Sequence, residues 1–365
     1  MFRFHSVFNI LSDFRSYSHK RGNFMSTLYL CSQKTKLRFM DNHFVLTTFE
    51  DEYGRSYEVK RISGRQIDSV LAFGIIAITR EALTYCMSNG ITVSYFSSNG
   101  KYIGSSVSNE AKCSELKLCQ YARYFNDVHR LYLAKMIVMG KIRNQIATLK
   151  YFSHNRDNAA EQVDQVISQM EMHMKRIGSA ESVRELDGIE GVSASLYFGI
   201  WRRFLPGELG FVRRIKHPAT DPVNAMLSLG YTLLTNLIRG IAVARGLEPS
   251  IGYLHEQHSN RPSLACDLIE EFRAPIVDRF VVRGCNLQQF RPEMFSENDP
   301  VKGVRFKGDF IRAFFSSWEM FISKNVREYG VAEEDRKDLI SLIVRQVDRI
   351  AGVIRNGGVY EPFRF

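Results

Sequence analysis

His255, Asp267 and Glu270 have the residue types and spacing that could hold a divalent cation. They lie in GYLHEQHSNRPSLACDLIEEFRAPIVD, residues 252–278. From Ser263 onward, Leu264, Ala265, Leu268, Ile269 and Phe272 recur at helical spacing and predict an amphipathic helix with one buried face. Asp267 and Glu270 are three apart, so both carboxylates project from one side of that helix. Carboxylates at the edge of a buried face, with an imidazole ahead of the turn, make the corner of a metal site. The same acids also fit the solvated face of an ordinary helix, so a third ligand from elsewhere has to decide.

Glu190 is an acid in an unusual setting, the segment GIEGVSASLYF at 188–198. Gly191, Ser193, Ala194 and Ser195 follow it, small residues that let a backbone or a bulky ligand approach closely. The segment predicts a helix beginning at Glu190, where the helix dipole alone would favour a carboxylate. Basic residues recur nearby in sequence: Arg213, Arg214 and Lys216 in Phe211–His217, and Arg123, Arg130, Lys135, Lys141 and Arg143 on a predicted helix over Glu110–Ala147. That row is a solvated face or a face that tracks phosphates.

The elements that position these residues divide by pattern. Residues 1–24 scatter aromatic, basic and serine residues without a long apolar run; Met25 opens a better start, and the first stretch is expected to be an extension with little order. Residues 25–108 are expected to form a small β-rich domain with strands over Leu28–Cys31, Lys36–Phe39, His43–Thr48, Tyr57–Arg61, Ile91–Phe96 and Lys101–Val107. Turns fall at Asp41-Asn42, Tyr53-Gly54 and Ser98-Asn99-Gly100, Ile67–Ile76 is a largely apolar segment, and Thr79–Ser88 a helix. Residues 109–365 are dominated by helical periodicity. Beyond Glu110–Ala147 the pattern predicts helices over Asn158–Met174, from Asp221-Pro222 to Arg245-Gly246 as a core helix, and over Phe310–Val326 and Glu333–Arg355. The tail GGVYEPFRF, from Gly357, is aromatic and basic and either packs on a neighbour or stays loose. The fold class is α+β: a β-rich N-terminal domain, then a larger all-α domain.

With 45% hydrophobic and 24% charged residues, composition excludes a disordered chain. No uncharged apolar run of about 18 residues predicts a spanning helix. A net charge of +10, from 49 basic and 39 acidic residues, suits a polyanionic partner. Six scattered cysteines with no CxxC give neither a zinc nor a disulfide framework, and reduced thiols in a cytoplasmic protein account for them.

Taken together, GIEGVSASLYF, DPVNAMLSLGYTLL, GLEPSIGYLHEQHSNRPSLACDLIEEFR and APIVDR resemble the CRISPR-associated integrase family that inserts new spacers into CRISPR arrays. STLYLCSQ and GITVSYFSSNGKYIG resemble its N-terminal β domain, and the likeness runs from about Met25 to Arg355, closest to the variant of type I-C systems. The resemblance implies metal ligands at Glu190, His255 and Glu270 and an additional acid at Asp267. His255 is preferred to His258 because it follows Gly-Tyr-Leu. Such a set suits Mg²⁺ or Mn²⁺. The resemblance further implies double-stranded DNA as substrate, a homodimer, a small ferredoxin-like second protein of the adaptation complex, an accessory adaptation nuclease as a further partner, and no membrane. Two other readings remain open: a stand-alone nuclease for branched DNA, and a non-catalytic DNA-binding scaffold whose acids are a polar helix face.

Overall fold

The computed structural model describes residues 26–30, 35–48, 55, 57–97, 101–107, 114–154, 160–216, 218–258, 261–308, 310–322, 324–326 and 337–365. The extension expected over 1–24, the turns at Tyr53-Gly54 and Ser98-Asn99-Gly100, and the boundary near 108 fall outside them. The chain forms two compact units: Met1–Glu115 with Arg239–Leu247, and Leu116–Ile238 with Glu248–Phe365.

The first unit runs β1 (Ser26–Leu30), β2 (Thr35–Met40), β3 (His43–Thr48), β4 (Glu58–Ser63), β5 (Ile67–Phe73), β6 (Ile76–Ile78), α1 (Arg80–Ser88), β7 (Thr92–Phe96) and β8 (Tyr102–Ser106). One four-stranded sheet has the order β1-β5-β7-β8, the first three parallel and β8 antiparallel to β7. The other has the order β4-β3-β2-β6, an antiparallel meander with β6 added parallel to β2. Asp41 and Asn42 take φ of 51° and 60°, the left-handed pair that a tight hairpin needs.

The apolar segment expected over Ile67–Ile76 is two strands in different sheets. Gly74, at φ 77°, breaks it and donates its N–H to Phe96 O at 2.9 Å. Leu28, Leu30, Val70 and Val93 of one sheet and Leu37, Phe44, Leu46 and Ile62 of the other share a core with Ala82 and Cys86 of α1.

The second unit is helical, with the end of α6 from Arg239 onward counted in the first: α2 (Ser114–Phe125), α3 (Asp127–Ser153), α4 (Ala160–Arg176), α5 (Val183–Gly199), α6 (Pro222–Ala244), α7 (Ser263–Ile269), α8 (Arg279–Asn286), α9 (Phe310–Ile322) and α10 (Leu339–Asn356). The long helix expected over Glu110–Ala147 is two. Asn126 interrupts it, because its side chain accepts the His129 N–H at 3.0 Å and caps a new helix. The helix expected over Phe310–Val326 stops at Ile322, and Asn325–Val326 pairs as a two-residue strand, β9, with β10 (Lys337–Asp338). The next helix begins at Leu339 because Asp338 caps it through the Ser341 N–H.

The core helix α6 starts as its sequence predicts, with Asp221 accepting the Asn224 N–H at 2.8 Å. It is long and apolar enough to cross a membrane, yet Val223, Met226, Leu227, Leu234 and Ile238 are buried inside the protein. Gly230 leaves room for Val277, so the segment after α7 lies close against α6. That segment, Arg273–Asp278, is a π-helical turn containing Pro275. Proline cannot donate into an α-helical ladder, so the register shifts between α7 and α8.

Candidate active site

Glu190 sits within α5 and not at a helix start. Ser182 caps that helix by accepting the Glu185 N–H, and Glu185 provides the first-turn acid, so dipole capping is not the reason for Glu190. The helix instead carries Glu190 beside α3, where it forms an ion pair with Lys141.

Asp267 is fully buried and organises the loop ahead of α7. Its Oδ2 accepts the N–H groups of Tyr253 at 2.5 Å and Leu254 at 3.0 Å, and its Oδ1 accepts the His255 N–H at 2.9 Å. The His255 Nδ1 is 2.8 Å from the same Oδ1. A carboxylate accepts, so Nδ1 is the nitrogen that donates to Asp267 and Nε2 is the one turned away from it. That Nε2 faces Glu270, 3.9 Å from Oε1. His258, by contrast, is exposed.

Glu270, 3% exposed, follows the last residue of α7. Its Oε2 is 2.5 Å from Lys141 Nζ, and its Oε1 is 3.5 Å from Arg273 Nε. Burial works to raise this carboxyl, but Arg273, Lys141 and then His255 outweigh it and hold the group at about 2. Glu270 is therefore ionised at neutral pH. Burial also opposes the Lys141 charge, but Glu270 and Glu190 outweigh it and raise its pKa.

Sequence reasoning placed Lys141 in a row read as a solvated or a phosphate-tracking face, and the structure instead buries it. Its flanking residues Val138, Gly140, Ile142, Asn144 and Gln145 are all buried, and the lysine is 5% exposed between two carboxylates. A lysine one turn from Ile137 and Val138 was the available signal. Other members of the row have backbone partners: Arg123 donates to Ile354 O, Arg130 to Tyr253 O and Lys135 to Gly178 O. Asp187, one turn before Glu190, was also missed; burial raises its carboxyl while nearby His255 works against that.

Behind Glu270 lies a second buried acid. Glu271 accepts Tyr360 O–H at 2.5 Å and Phe363 N–H at 2.7 Å, and Asn144 donates to both Glu271 O and Phe363 O. The aromatic tail thus packs on its own chain, with Tyr360 and Phe363 fully buried. Burial pushes the Glu271 carboxyl up to about 7 against the pull of those two donors. On the far side Asp278 accepts from Tyr231 at 2.5 Å and Tyr197 at 2.9 Å, and burial raises it to about 6.

The structure therefore brings Glu190, Glu270 and His255 to one place, with Asp267 behind the imidazole. Among the described residues no three His, Cys, Asp or Glu side chains close around a single point, and the position between the two glutamates holds the Lys141 ammonium. The donor set nonetheless has the chemistry of a hard-cation site: two carboxylates and an imidazole of fixed tautomer.

A β-rich unit followed by a larger helical unit, which carries the candidate site, defines the chain as an α+β protein. The family model described as CRISPR associated protein Cas1 matches residues 28–320, and the chain belongs to that family. It is 30% identical over 321 residues to CRISPR-associated endonuclease Cas1 3 of Thermus thermophilus, covering 85% of this chain and 92% of that one. Among solved structures, it is similar to a chain of a partial Cas6-RT-Cas1–Cas2 complex, with a TM-score of 0.75 at 21% identity, covering 93% of this chain and 99% of that chain. It is also similar to a casposase bound to integration product, with a TM-score of 0.64 at 22% identity and 92% of each chain covered. At those identities the structural likeness speaks for the fold alone.

Proposed function

We propose that the chain is the integrase and endonuclease of CRISPR adaptation, joining 3′-hydroxyl ends of new spacer DNA to the CRISPR repeat by transesterification. The observation that carries the site assignment is that Glu190 of α5 and Glu270 after α7, far apart in sequence, meet at one cation position, with the Nε2 of His255 facing Glu270. The scaffold reading treats the acids as a wet helix face, and the burial of Asp267 and Glu270 speaks against it.

Glu190, His255 and Glu270 would hold Mg²⁺ or Mn²⁺. Such an ion supplies Lewis acidity at a phosphate oxygen and a lowered pKa for a bound hydroxyl. Asp267 is a positioning residue: it fixes the imidazole tautomer and, through three backbone N–H bonds, the loop that carries it. Arg273 helps keep Glu270 ionised without a proton to lose. Lys216, exposed and also influenced by Glu190 and Glu270, is a nearby cation for a phosphate.

DNA and a small second adaptation protein are the partners this reading requires, in line with relatives solved as a Cas1–Cas2 complex and as a casposase on its integration product. A homodimer, an accessory nuclease, a type I-C-like system and a cytoplasmic setting complete the proposal. Replacing Glu190, His255 or Glu270 by Ala is expected to abolish strand transfer into a repeat-containing plasmid while leaving DNA binding largely intact. Full activity in all three variants refutes the site. Cleavage of forks and junctions with no integration into the repeat would point instead to a stand-alone nuclease.

A further inference from the structure

We propose that Lys141 is a resident cation that keeps the place of the divalent ion and must be displaced for the ion to load. The inference rests on the metal reading of Glu190, His255 and Glu270 and concerns a residue that reading does not use.

The ammonium contacts one oxygen from each glutamate, Glu190 Oε1 and Glu270 Oε2, and the second contact is 2.5 Å. A divalent ion shared by these carboxylates would stand where the ammonium stands, since Mg²⁺ reaches its oxygens at about 2.0–2.1 Å. Both cannot occupy that point. The lysine is not a surface group that strays inward: its helix buries the residues on either side of it, and Glu270 is almost fully enclosed.

A buried carboxylate and a partly exposed one facing each other without a counter-charge would be costly, and one ammonium offsets that cost. It also explains why the ligands are adjacent without closing around a point: a single charge on a bulky NH₃⁺ group holds the two glutamates apart. A long flexible stem lets the ammonium withdraw, which a rigid guanidinium fork does less readily. Loading is then an exchange of one cation for another, and the lysine lowers the apparent affinity for the incoming ion.

The test is Mn²⁺ binding to the full chain, free of DNA, by calorimetry and by the electron paramagnetic resonance signal of free Mn²⁺. Lys141→Met removes the competitor and is expected to bind Mn²⁺ at least tenfold more tightly than the wild type, with a larger Mn²⁺-induced rise in Tm. Lys141→Arg retains the charge and is expected to gain nothing. Wild-type protein supplies a reading that does not depend on the variant folding. Amine-reactive labelling read by mass spectrometry should find Lys141 protected without metal and several-fold more reactive with saturating Mn²⁺. Equal Mn²⁺ affinity in Lys141→Met and wild type, or unchanged labelling of Lys141 on saturation, overturns the displacement while leaving the metal site standing. No Mn²⁺ binding to either protein removes the metal reading and this inference with it.

Discussion

Replacing Asp267 by Asn tests how the site is held together. The carboxylate serves four donors: Oδ2 takes the N–H groups of Tyr253 and Leu254, and Oδ1 takes the N–H and the Nδ1–H of His255. Asparagine offers one acceptor oxygen and one NH₂ group, so whichever way it turns, two donors face a donor. Hydrogen bonds to a charged group contribute about 1.5–3 kcal/mol each, and breaking a buried charged network by one partner costs about 3–5 kcal/mol. The expected loss is about 3–5 kcal/mol. At about 2–4 °C per kcal/mol for a unit of this size, that is a fall in Tm of roughly 6–20 °C. Both tryptophans, Trp201 and Trp318, lie in the second unit, so their fluorescence during urea unfolding reports on it. NMR of ¹⁵N-labelled histidine should show His255 losing its fixed Nδ1–H tautomer, with strand transfer lost in parallel. A variant with the wild-type midpoint and the wild-type His255 tautomer would refute the positioning role.

Glu271 makes a pH prediction. Its folded pKa of about 7 lies above the unfolded value of 4.5, so the native state holds the extra proton between them and stability declines as pH rises from about 5 to about 7. Asp278, raised to about 6, acts in the same direction, so Glu271→Gln should flatten only part of the slope in urea midpoints measured across that range. Tyr360→Phe removes one donor to Glu271 and is expected to cost about 1–3 kcal/mol at neutral pH, read as a lower unfolding midpoint. Burial pushes the Cys86 and Cys285 thiols up to about 12, so neither should react with iodoacetamide at pH 7.5 until urea opens its unit. If about 6–10 phosphates are neutralised, DNA affinity should fall by orders of magnitude between 50 and 200 mM salt in a fluorescence-anisotropy titration.

Much of this molecule is legible in its residues because local rules decide it. The Asp41-Asn42 hairpin, the Asp221-Pro222 helix start and the division into a β-rich and a helical part all follow from turn chemistry and periodicity. The segments that misled had periodicity continuing through a break. Asn126 recaps a helix mid-pattern, and Gly74 sends one apolar run into two sheets. At the site, the acids and the histidine could be named from a family likeness to known integrases. Lys141 could not, because only tertiary packing shows that a lysine on a long helix points at two glutamates. Glu190 illustrates the same limit: neighbouring small residues suggested a helix start, while the actual cap, Ser182, lies two turns earlier.

The buried handshake between Glu271 and the Tyr360–Phe363 stretch has a bearing on synthesis. Phe363, whose N–H seats Glu271, is 92 positions further along the chain. A ribosome that has already delivered Glu271 still holds the groups that lock it into place. A product cut short before Tyr360 would carry Glu190, His255, Asp267 and Glu270, yet leave the neighbouring Glu271 without the two donors that seat it.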